Sequence, residues 1–235
     1  MSYKKVLITG ASRGLGKELA YVFANNDYNL ILHSKKTHLS EIKRSFRFDR
    51  VCEDVSYDRI YGDLEDRAIV EKIIDASKDI DVFVNNAGIY FNNPISEMSV
   101  EKCLEVLGLN LISPILLIKG IFEIFKEKKS GTIININSTA GKCGSAGESV
   151  YSASKFGMSG FLKSIQFEAT KYNIQVVDVY LGAMKTEMTQ GRKDMEKLMK
   201  PYEVAKCIYS ACLSDDVVAC GTTRITELHI NRRIY

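Results

Sequence analysis

Short apolar stretches alternate along the chain with longer stretches in which apolar residues recur at helical spacing. The short stretches predict buried strands, and the longer ones predict helices that cover them. Regular alternation of this kind implies a parallel sheet covered by helices on both faces. The predicted strands are Lys5–Thr9, Asn29–His33, Arg59–Gly62, Asp81–Asn85, Thr132–Asn137, Gln175–Tyr180 and Ile225–Ile230. The predicted helices are Gly14–Asn25, Glu65–Ser77, Ser99–Lys128, Tyr151–Tyr172 and Pro201–Leu213.

The chain has 235 residues, 46% of them hydrophobic, which is enough for one domain with a large core. We therefore expect a single domain over 1–235, with residues 40–57 as its least regular stretch. A net charge of +3 is too small and dispersed to indicate nucleic-acid binding. The sequence pattern predicts no apolar run of the length needed to cross a membrane, and no signal peptide is recognised, so we expect a cytoplasmic protein. The cysteines show no metal-binding spacing, and we expect free thiols that are buried or partly buried.

A glycine-rich turn joins the first predicted strand to the first predicted helix. Gly10 permits a tight turn, Gly14 allows backbone to approach a pyrophosphate, and Gly16 allows the helix to pack on the strand. The helix N-terminus then offers free N–H groups and the positive end of its dipole to phosphates. The intervening residues are expected to line the same site: Ser12, Arg13 and Leu15. Chance glycines in an ordinary turn are the alternative interpretation.

Tyr151 and Lys155 lie one helical turn apart, and Ser138 ends the predicted strand that precedes them. A phenol is a poor proton donor or acceptor at neutral pH because its ordinary pKa is about 10. A neighbouring ammonium and a second positive charge, such as an oxidised nicotinamide ring, would lower that pKa. The arrangement predicts proton transfer beside a hydride carrier. Each of these residues alone would equally fit an ordinary helix face or strand end.

Taken together, these motifs resemble those of the short-chain dehydrogenase/reductase family, in its compact single-domain type. The residues Thr9 to Gly16 match the cofactor turn, Asn85 to Gly88 match the motif after the fourth strand, and the catalytic tetrad is matched in order and spacing by Asn110, Ser138, Tyr151 and Lys155. The resemblance implies a Rossmann-like three-layer α/β/α sandwich around a doubly wound seven-stranded parallel sheet. One departure is Leu181 before Gly182, where the family usually has proline, which leaves the shape of that loop open.

By this resemblance, Tyr151 exchanges a proton with the substrate oxygen, Ser138 hydrogen-bonds that oxygen, and Lys155 lowers the Tyr151 pKa and holds the nicotinamide ribose. Asn110 anchors a water in a proton relay, or else only satisfies a kinked helix backbone. The remaining positions that the family uses to bind the cofactor are Asp63, Leu64, Asn86, Ala87, Gly88, Gly182, Met184 and Thr186. Asp63 would contact the adenine amino group, or alternatively cap a helix that begins near Leu64.

The residues after the second strand indicate which dinucleotide is bound. Ser34 stands where the family places an aspartate that binds the adenosine 2′-hydroxyl, and Lys35 and Lys36 follow it. Arg13 could approach the same 2′-phosphate, and arginine suits phosphate well. The sequence therefore predicts NADP(H) over NAD(H). Solvated surface charges are the alternative.

The leading interpretation is an NADP(H)-dependent oxidoreductase that reduces a carbonyl, or oxidises the matching alcohol, of a small molecule. A non-catalytic NADP(H) sensor and a sugar-nucleotide epimerase are the alternatives. The intact tetrad disfavours the sensor, and the chain length disfavours the epimerase. Residues 187–200 form either a lid over the substrate or a surface helix packed by its methionines. Position alone suggests wall residues at Tyr90, Phe91, Lys142, Cys143 and Met184. A homodimer or homotetramer is expected, through the two longest predicted helices.

Overall fold

The computed structural model describes residues 3–36, 55–191, 194–213 and 224–232, so most of the irregular stretch predicted at 40–57 lies outside the described residues. The strands are β1 (Lys5–Ile8), β2 (Asn29–Ser34), β3 (Tyr57–Tyr61), β4 (Val82–Asn85), β5 (Gly131–Ser138), β6 (Ile174–Leu181) and β7 (Glu227–Ile230). The α-helices are α1 (Gly14–Ala24), α2 (Arg67–Ala76), α3 (Val100–Leu107), α4 (Ser113–Lys128), α5 (Ser149–Ala169) and α6 (Pro201–Leu213). Every predicted strand and helix is present, with ends displaced by a few residues.

The strands form one seven-stranded sheet in the order β3-β2-β1-β4-β5-β6-β7. All neighbouring strands pair in parallel, as the alternating pattern predicts. The strand order reverses between β1 and β4, and ligands of open α/β sheets bind beyond the carboxyl ends of the strands at such a point. This is the predicted doubly wound, Rossmann-like architecture.

Two hydrophobic clusters lie on opposite faces of the sheet. On one face α1 and α6 cover residues such as Ile8, Val84 and Val179. On the other face α2, α4 and α5 cover residues such as Leu7, Phe83 and Ile133. Neighbouring strand residues such as Leu7 and Ile8 therefore belong to different clusters, because successive side chains of a strand point to opposite faces.

The helix predicted at Ser99–Lys128 contains a π-helical turn at Gly108–Ile112 between α3 and α4. The Ser113 hydroxyl donates to the Gly108 carbonyl oxygen at 2.9 Å, within this widened turn. The segment Val100–Lys128 is long and apolar enough to cross a membrane, contrary to the expectation from the sequence. In this fold the α4 residues Leu117, Ile121 and Phe125 are fully buried against the sheet, as in the core helix of a globular domain.

The cysteine expectation was partly wrong. Cys212 is buried and Cys103 is partly buried, as expected, but Cys143 and Cys207 are exposed. Cys143 follows the active-site edge of β5, and Cys207 lies on the outer side of α6. Periodicity did not distinguish these positions, because a short thiol side chain is compatible with either environment.

Candidate active site

The glycine-rich turn is held closed by the residues that follow β4. The Asn86 side-chain amide donates to the carbonyl oxygens of Thr9 at 2.9 Å and Gly10 at 3.1 Å. The Thr9 hydroxyl oxygen accepts from the backbone N–H groups of Asn86 at 3.0 Å and Ala87 at 3.1 Å. Asn86 and Ala87 were predicted to line the adenosine side; in the structure they also fix the shape of the turn.

The turn has room for a phosphate only because its glycines lack side chains. Gly10 and Gly14 have positive φ angles of 65° and 53°, which favour glycine. A Cβ atom on Gly16 would lie 2.3 Å from the Gly10 carbonyl oxygen, so α1 could not approach the turn with any other residue there. Leu15 is buried under the helix, and Ser12 is partly buried between the glycines.

The N-terminus of α1 offers its N–H groups at the same place. Its N-cap residue, Arg13, has extended backbone and makes no side-chain capping bond, and its first turn holds no acidic residue. The free N–H groups and the helix dipole suit a pyrophosphate. These residues fit the dinucleotide that the sequence predicts.

The predicted adenosine side contains an ion pair between Lys35, after β2, and Asp63, after β3. The hydrogen bond to Asp63 raises the pKa of Lys35. Burial by itself would raise the pKa of Asp63, but the Lys35 ammonium outweighs it and holds that pKa below its ordinary value. Ser34 is buried, and its hydroxyl donates to the Lys36 carbonyl oxygen at 2.5 Å. Its contribution to the NADP(H) preference is therefore that it places no carboxylate at this position.

The alternative role of Asp63 as a helix cap is wrong. Helix α2 begins at Arg67, and Asp66 caps it by accepting from the Ala68 N–H at 2.9 Å. Asp63 accepts from the Glu65 N–H at 3.2 Å in the preceding turn. Leu64, predicted as a cofactor-binding residue, has its side chain in the core.

Arg13 pairs with Glu187, which follows β6, across the opening of the site. Both side chains are largely exposed, and exposed ion pairs contribute about 0–1 kcal/mol, so a phosphate could replace the carboxylate. Thr186 lies next to the glycine turn, since a Cβ atom on Gly14 would be 3.5 Å from its methyl carbon. The structure thus brings the segment after β6 to the phosphate side of the site.

Ser138, Tyr151 and Lys155 come together at the carboxyl end of β5. Tyr151 is 9% exposed, and its hydroxyl lies within the influence of the Ser138 side chain. The Lys155 Nζ atom lies 5.8 Å from the centre of the Tyr151 ring and donates to the Ile136 carbonyl oxygen at 3.2 Å. A Cβ atom on Gly88 would lie 3.0 Å from the Asn110 Oδ1 atom and 4.0 Å from that Nζ, so this glycine lies close to both side chains.

The protonation behaviour of the pair differs from the expectation. Burial raises the pKa of Tyr151, the Ser138 side chain counteracts this in part, and the Glu148 carboxylate adds to the increase. Burial also lowers the pKa of Lys155 to about 8. In the protein alone, therefore, Tyr151 is a neutral phenol and Lys155 is mostly an ammonium at neutral pH. The predicted decrease of the Tyr151 pKa is not produced by Lys155 alone.

Asn110 lies in the π-helical turn and is 2% exposed. Its side chain binds the backbone of Ile89 twice, accepting from the N–H at 2.9 Å and donating to the carbonyl oxygen at 2.8 Å. It also donates to the Ser154 hydroxyl at 3.3 Å, and that hydroxyl donates to the Tyr151 carbonyl oxygen at 2.6 Å. Asn110 thus ties the segment after β4 to α5, whereas the alternative interpretation expected bonds to the kinked helix backbone. Ser154 was missed, although its place one helical turn after Tyr151 was visible in the sequence.

Tyr90, one of the suggested wall residues, contacts Tyr151. The two rings meet edge to face with centres 5.1 Å apart. The Tyr90 hydroxyl donates to Glu148 at 2.7 Å, and burial together with that carboxylate raises the pKa of Tyr90 to about 12. Lys142 instead turns towards β7, where it pairs with Glu227 at 2.9 Å. It is therefore not a wall residue.

After β6 the chain forms short turns rather than the surface helix offered as one interpretation. Two 3-10 turns, Glu187–Thr189 and Met195–Lys197, are present, and residues 192–193 lie outside the described part. Met184 and Met199 form a parallel bridge and pack against the core. Leu181 extends β6 by pairing with Ser138 and Ile230, and Gly182 donates to the Ile230 carbonyl oxygen at 3.1 Å.

Comparison with known proteins decides the family. The family model described as short chain dehydrogenase matches residues 4–197. The chain belongs to the short-chain dehydrogenase family. It is therefore an oxidoreductase of that family, and the resemblance drawn from the glycine turn and the tetrad is confirmed.

Relatives of known name cover almost the whole chain. The 3-oxoacyl-[acyl-carrier-protein] reductase FabG of Vibrio cholerae is 29% identical over 99% of this chain and 97% of its own length. Carbonyl reductase family member 4 of Xenopus laevis is 30% identical over 87% of this chain and 89% of its own.

Solved structures agree on the fold. Levodione reductase superposes with a TM-score of 0.86 at 26% identity, over 97% of this chain and 95% of its own. ElxO, solved with NADP bound, superposes with a TM-score of 0.83 at 26% identity, over 97% of both chains. NADP, the cofactor predicted here from Ser34 and Lys35, is thus bound in a solved structure that is similar to this chain.

Proposed function

We propose that this protein is an NADPH-dependent carbonyl reductase in which Tyr151 donates the proton. The observation that carries the proposal is the meeting of Ser138, Tyr151 and Lys155 beside a glycine turn shaped for a dinucleotide. A sensor would not require this arrangement. The relatives named as 3-oxoacyl reductases make 3-oxoacyl thioesters the first substrates to test.

The residues supply what carbonyl reduction requires. NADPH, when bound, supplies the hydride that adds to the carbonyl carbon. Ser138 and the Tyr151 hydroxyl hydrogen-bond the carbonyl oxygen, where negative charge grows, and Tyr151 transfers its proton to that oxygen. The raised pKa of Tyr151 keeps this proton in place at neutral pH. The Lys155 ammonium then stabilises the phenolate that remains, until a proton from solvent restores it.

Different residues of the chain would hold different parts of the cofactor. The α1 N-terminus with Gly10, Gly14 and Gly16 would hold the pyrophosphate, and Lys155 would hold the nicotinamide ribose. Lys35 and Arg13 would bind the 2′-phosphate after exchanging their carboxylate partners. The remaining predicted cofactor residues, Asp63, Leu64, Asn86, Ala87, Gly88, Gly182, Met184 and Thr186, would line the groove at the strand ends, Leu64 only through its backbone because its side chain lies in the core.

The decisive experiment is a panel of ketones and 3-oxoacyl thioesters assayed by the decrease in NADPH absorbance. We expect turnover with at least one 3-oxo substrate, and weaker turnover with NADH in place of NADPH. Binding of NADPH without turnover across the panel would contradict the reductase and favour the sensor. Absence of NADPH binding would contradict both.

We further propose a cytoplasmic homodimer or homotetramer. The α3–α5 surface exposes apolar side chains that a solitary domain has no reason to expose: Leu104, Ile112, Phe156 and Phe167. A Cβ atom on Gly160, which lies on the same helix as Phe156, would meet nothing within 4 Å, so a partner helix could approach closely there. Light scattering of the wild type and of Phe167→Asp tests this, and we expect the variant to dissociate. A wild-type protein of monomeric mass would contradict the proposal.

A further inference from the structure

A row of polar side chains crosses the sheet beneath the active site. Asn85, Asn135 and Asp178 are direct cross-strand neighbours on β4, β5 and β6, and Asn137 pairs with Tyr180 two residues further along. Residues that differ by two in a strand share a face, so all five lie on the side covered by α5. The cluster of Phe83, Ile133 and Val176 lies on this face just before the row begins.

Asp178 is the centre of this row. It is 2% exposed and is the only buried acidic side chain among the described residues. No described residue forms an ion pair with it; instead, its two oxygens accept from the side-chain amides of Asn135 at 2.7 Å and Asn137 at 2.9 Å. A buried carboxylate is costly unless its oxygens are satisfied, and here the two side-chain amides satisfy them.

The carboxylate determines which way its neighbours' amides point. An ionised carboxylate only accepts hydrogen bonds, so both asparagines must turn their NH₂ groups towards Asp178. The Asn137 amide oxygen is then directed at the backbone N–H of Ser138, which donates to it at 2.8 Å. The Asn137 amide nitrogen also donates to the Ser159 hydroxyl of α5 at 3.0 Å. Asp178 therefore reaches the catalytic serine through one side chain.

Lys155 lies next to this row, because the Asn137 amide that binds Asp178 at 2.9 Å also donates to the Lys155 carbonyl oxygen at 3.4 Å. The charge of the carboxylate therefore acts on Lys155 as well. Burial disfavours the Lys155 ammonium, and Asp178 is the group that favours it. The other titratable groups facing this region come from the elements packed around it. They are Tyr151 and Lys163 on α5, Lys142 after β5, Tyr180 on β6, and Glu227 and His229 on β7. Lys142 and Lys163 form ion pairs with Glu227, so Lys155 is the cation whose charge Asp178 stabilises.

We propose that Asp178 is a positioning residue of the active site, whose buried carboxylate orients Asn137, and through it Ser138, and retains the positive charge of Lys155. Its effect on turnover rests on the proposed reductase function; its effect on Lys155 does not. The substitution Asp178→Asn keeps the shape and removes the charge. Glu227→Gln is the matched control, because it removes a carboxylate from the neighbouring register position on β7.

The first measurement is the titration of Lys155, followed by NMR of proteins with labelled lysine side chains and assigned by comparison with Lys155→Met. We expect Asp178→Asn to move the Lys155 titration to lower pH by roughly one unit, and Glu227→Gln to leave it in place. The second measurement is kcat against pH, where Asp178→Asn should lower kcat about 10- to 100-fold and move the alkaline decrease to lower pH. A Lys155 titration in Asp178→Asn equal to that of the wild type overturns the proposal.

A second variant separates the two effects and tests the link to Ser138 even if Asp178→Asn does not fold. Asn137→Ala keeps the carboxylate and removes the amide that links it to Ser138. We expect kcat to decrease about tenfold with the Lys155 titration unchanged. Wild-type kcat in Asn137→Ala overturns the link to Ser138. If the wild type reduces no carbonyl substrate, the proposed function fails, whereas the Lys155 titration still tests Asp178.

Discussion

On the adenosine side of the site the charged side chains lie at the surface in carboxylate pairs, whereas on the catalytic side they are buried among amides. Arg13–Glu187 and Lys35–Asp63 are of the first kind, and such pairs can exchange partners at little cost. Lys155 and Asp178 are of the second kind, and their surroundings cannot rearrange without leaving polar groups unsatisfied. Changes on the first side should therefore alter cofactor affinity, and changes on the second should alter turnover or stability.

The largest effect is expected for Tyr151→Phe. Loss of the phenolic proton should lower kcat by about 10³-fold while NADPH affinity stays within a few fold, because the hydroxyl acts on the substrate oxygen. Absorbance assays give kcat, and fluorescence titration gives the NADPH affinity.

Tyr90→Phe is the matched control, since it removes a hydroxyl from the neighbouring ring and should lower kcat only a few fold. Turnover of Tyr151→Phe at the wild-type rate, with any active substrate, would show that Tyr151 is not the proton donor. It would also contradict the expectation that changes on the catalytic side alter turnover.

The double substitution Ser34→Asp with Lys35→Ala should decrease the preference for NADPH over NADH about tenfold or more. It places a carboxylate where the 2′-phosphate is expected and removes a cation from the same place. The ratio of kcat/KM for the two cofactors measures the change, and kcat itself should stay close to the wild-type value.

Lys36→Ala is the control for loss of one exposed cation and should change the ratio much less. An unchanged ratio in the double variant would mean that the phosphate is bound elsewhere.

Lys155→Met should stabilise the fold while it abolishes turnover. Burial holds the Lys155 pKa at about 8, below its ordinary value of 10.5, so the unfolded chain binds the proton more tightly. The buried ammonium therefore destabilises the folded wild type by its full amount below about pH 8. The free energy of unfolding then rises as the pH increases from about 8 to about 10.5. The variant should be about 1–2 kcal/mol more stable at pH 7 and should lack this gain.

Urea unfolding at several pH values measures both effects. Lys163→Met, an exposed lysine of the same helix that pairs with Glu227, is the control and should keep the wild-type pH dependence. An unfolding free energy of Lys155→Met that rises with pH as in the wild type would contradict the burial of a charged lysine.

The smallest effect is expected for Glu187→Gln. Releasing Arg13 from its carboxylate should tighten NADPH binding about two- to threefold and leave kcat unchanged. Glu196→Gln, which releases Lys185 in the same segment, should not change NADPH affinity. Weaker NADPH binding in Glu187→Gln would show that Arg13 needs Glu187 to reach the phosphate.

The sequence by itself determined the succession of strands and helices along the chain, the glycine turn and the spacing of Ser138, Tyr151 and Lys155. These are local features, because a period of two or of 3.6 residues and a glycine with positive φ are read along the chain. It also indicated the family, since several short motifs occur in one order. It misjudged Lys142, which turns towards β7, and it left open the conformation of the segment after Thr186, where the structure contains short turns and no surface helix among the described residues.

Only the tertiary structure decided which groups surround each other. Asp178 is an ordinary residue of a strand in the sequence, and its position beside Asn135 and Asn137 follows from the pairing of β5 with β6. The same pairing places its charge where it acts on Lys155, whose burial depends on α5 packing over the sheet. Burial and cross-strand proximity depend on segments that are far apart in the sequence, and they determine the protonation of Tyr151 and Lys155. Spacing along the chain could not supply that information.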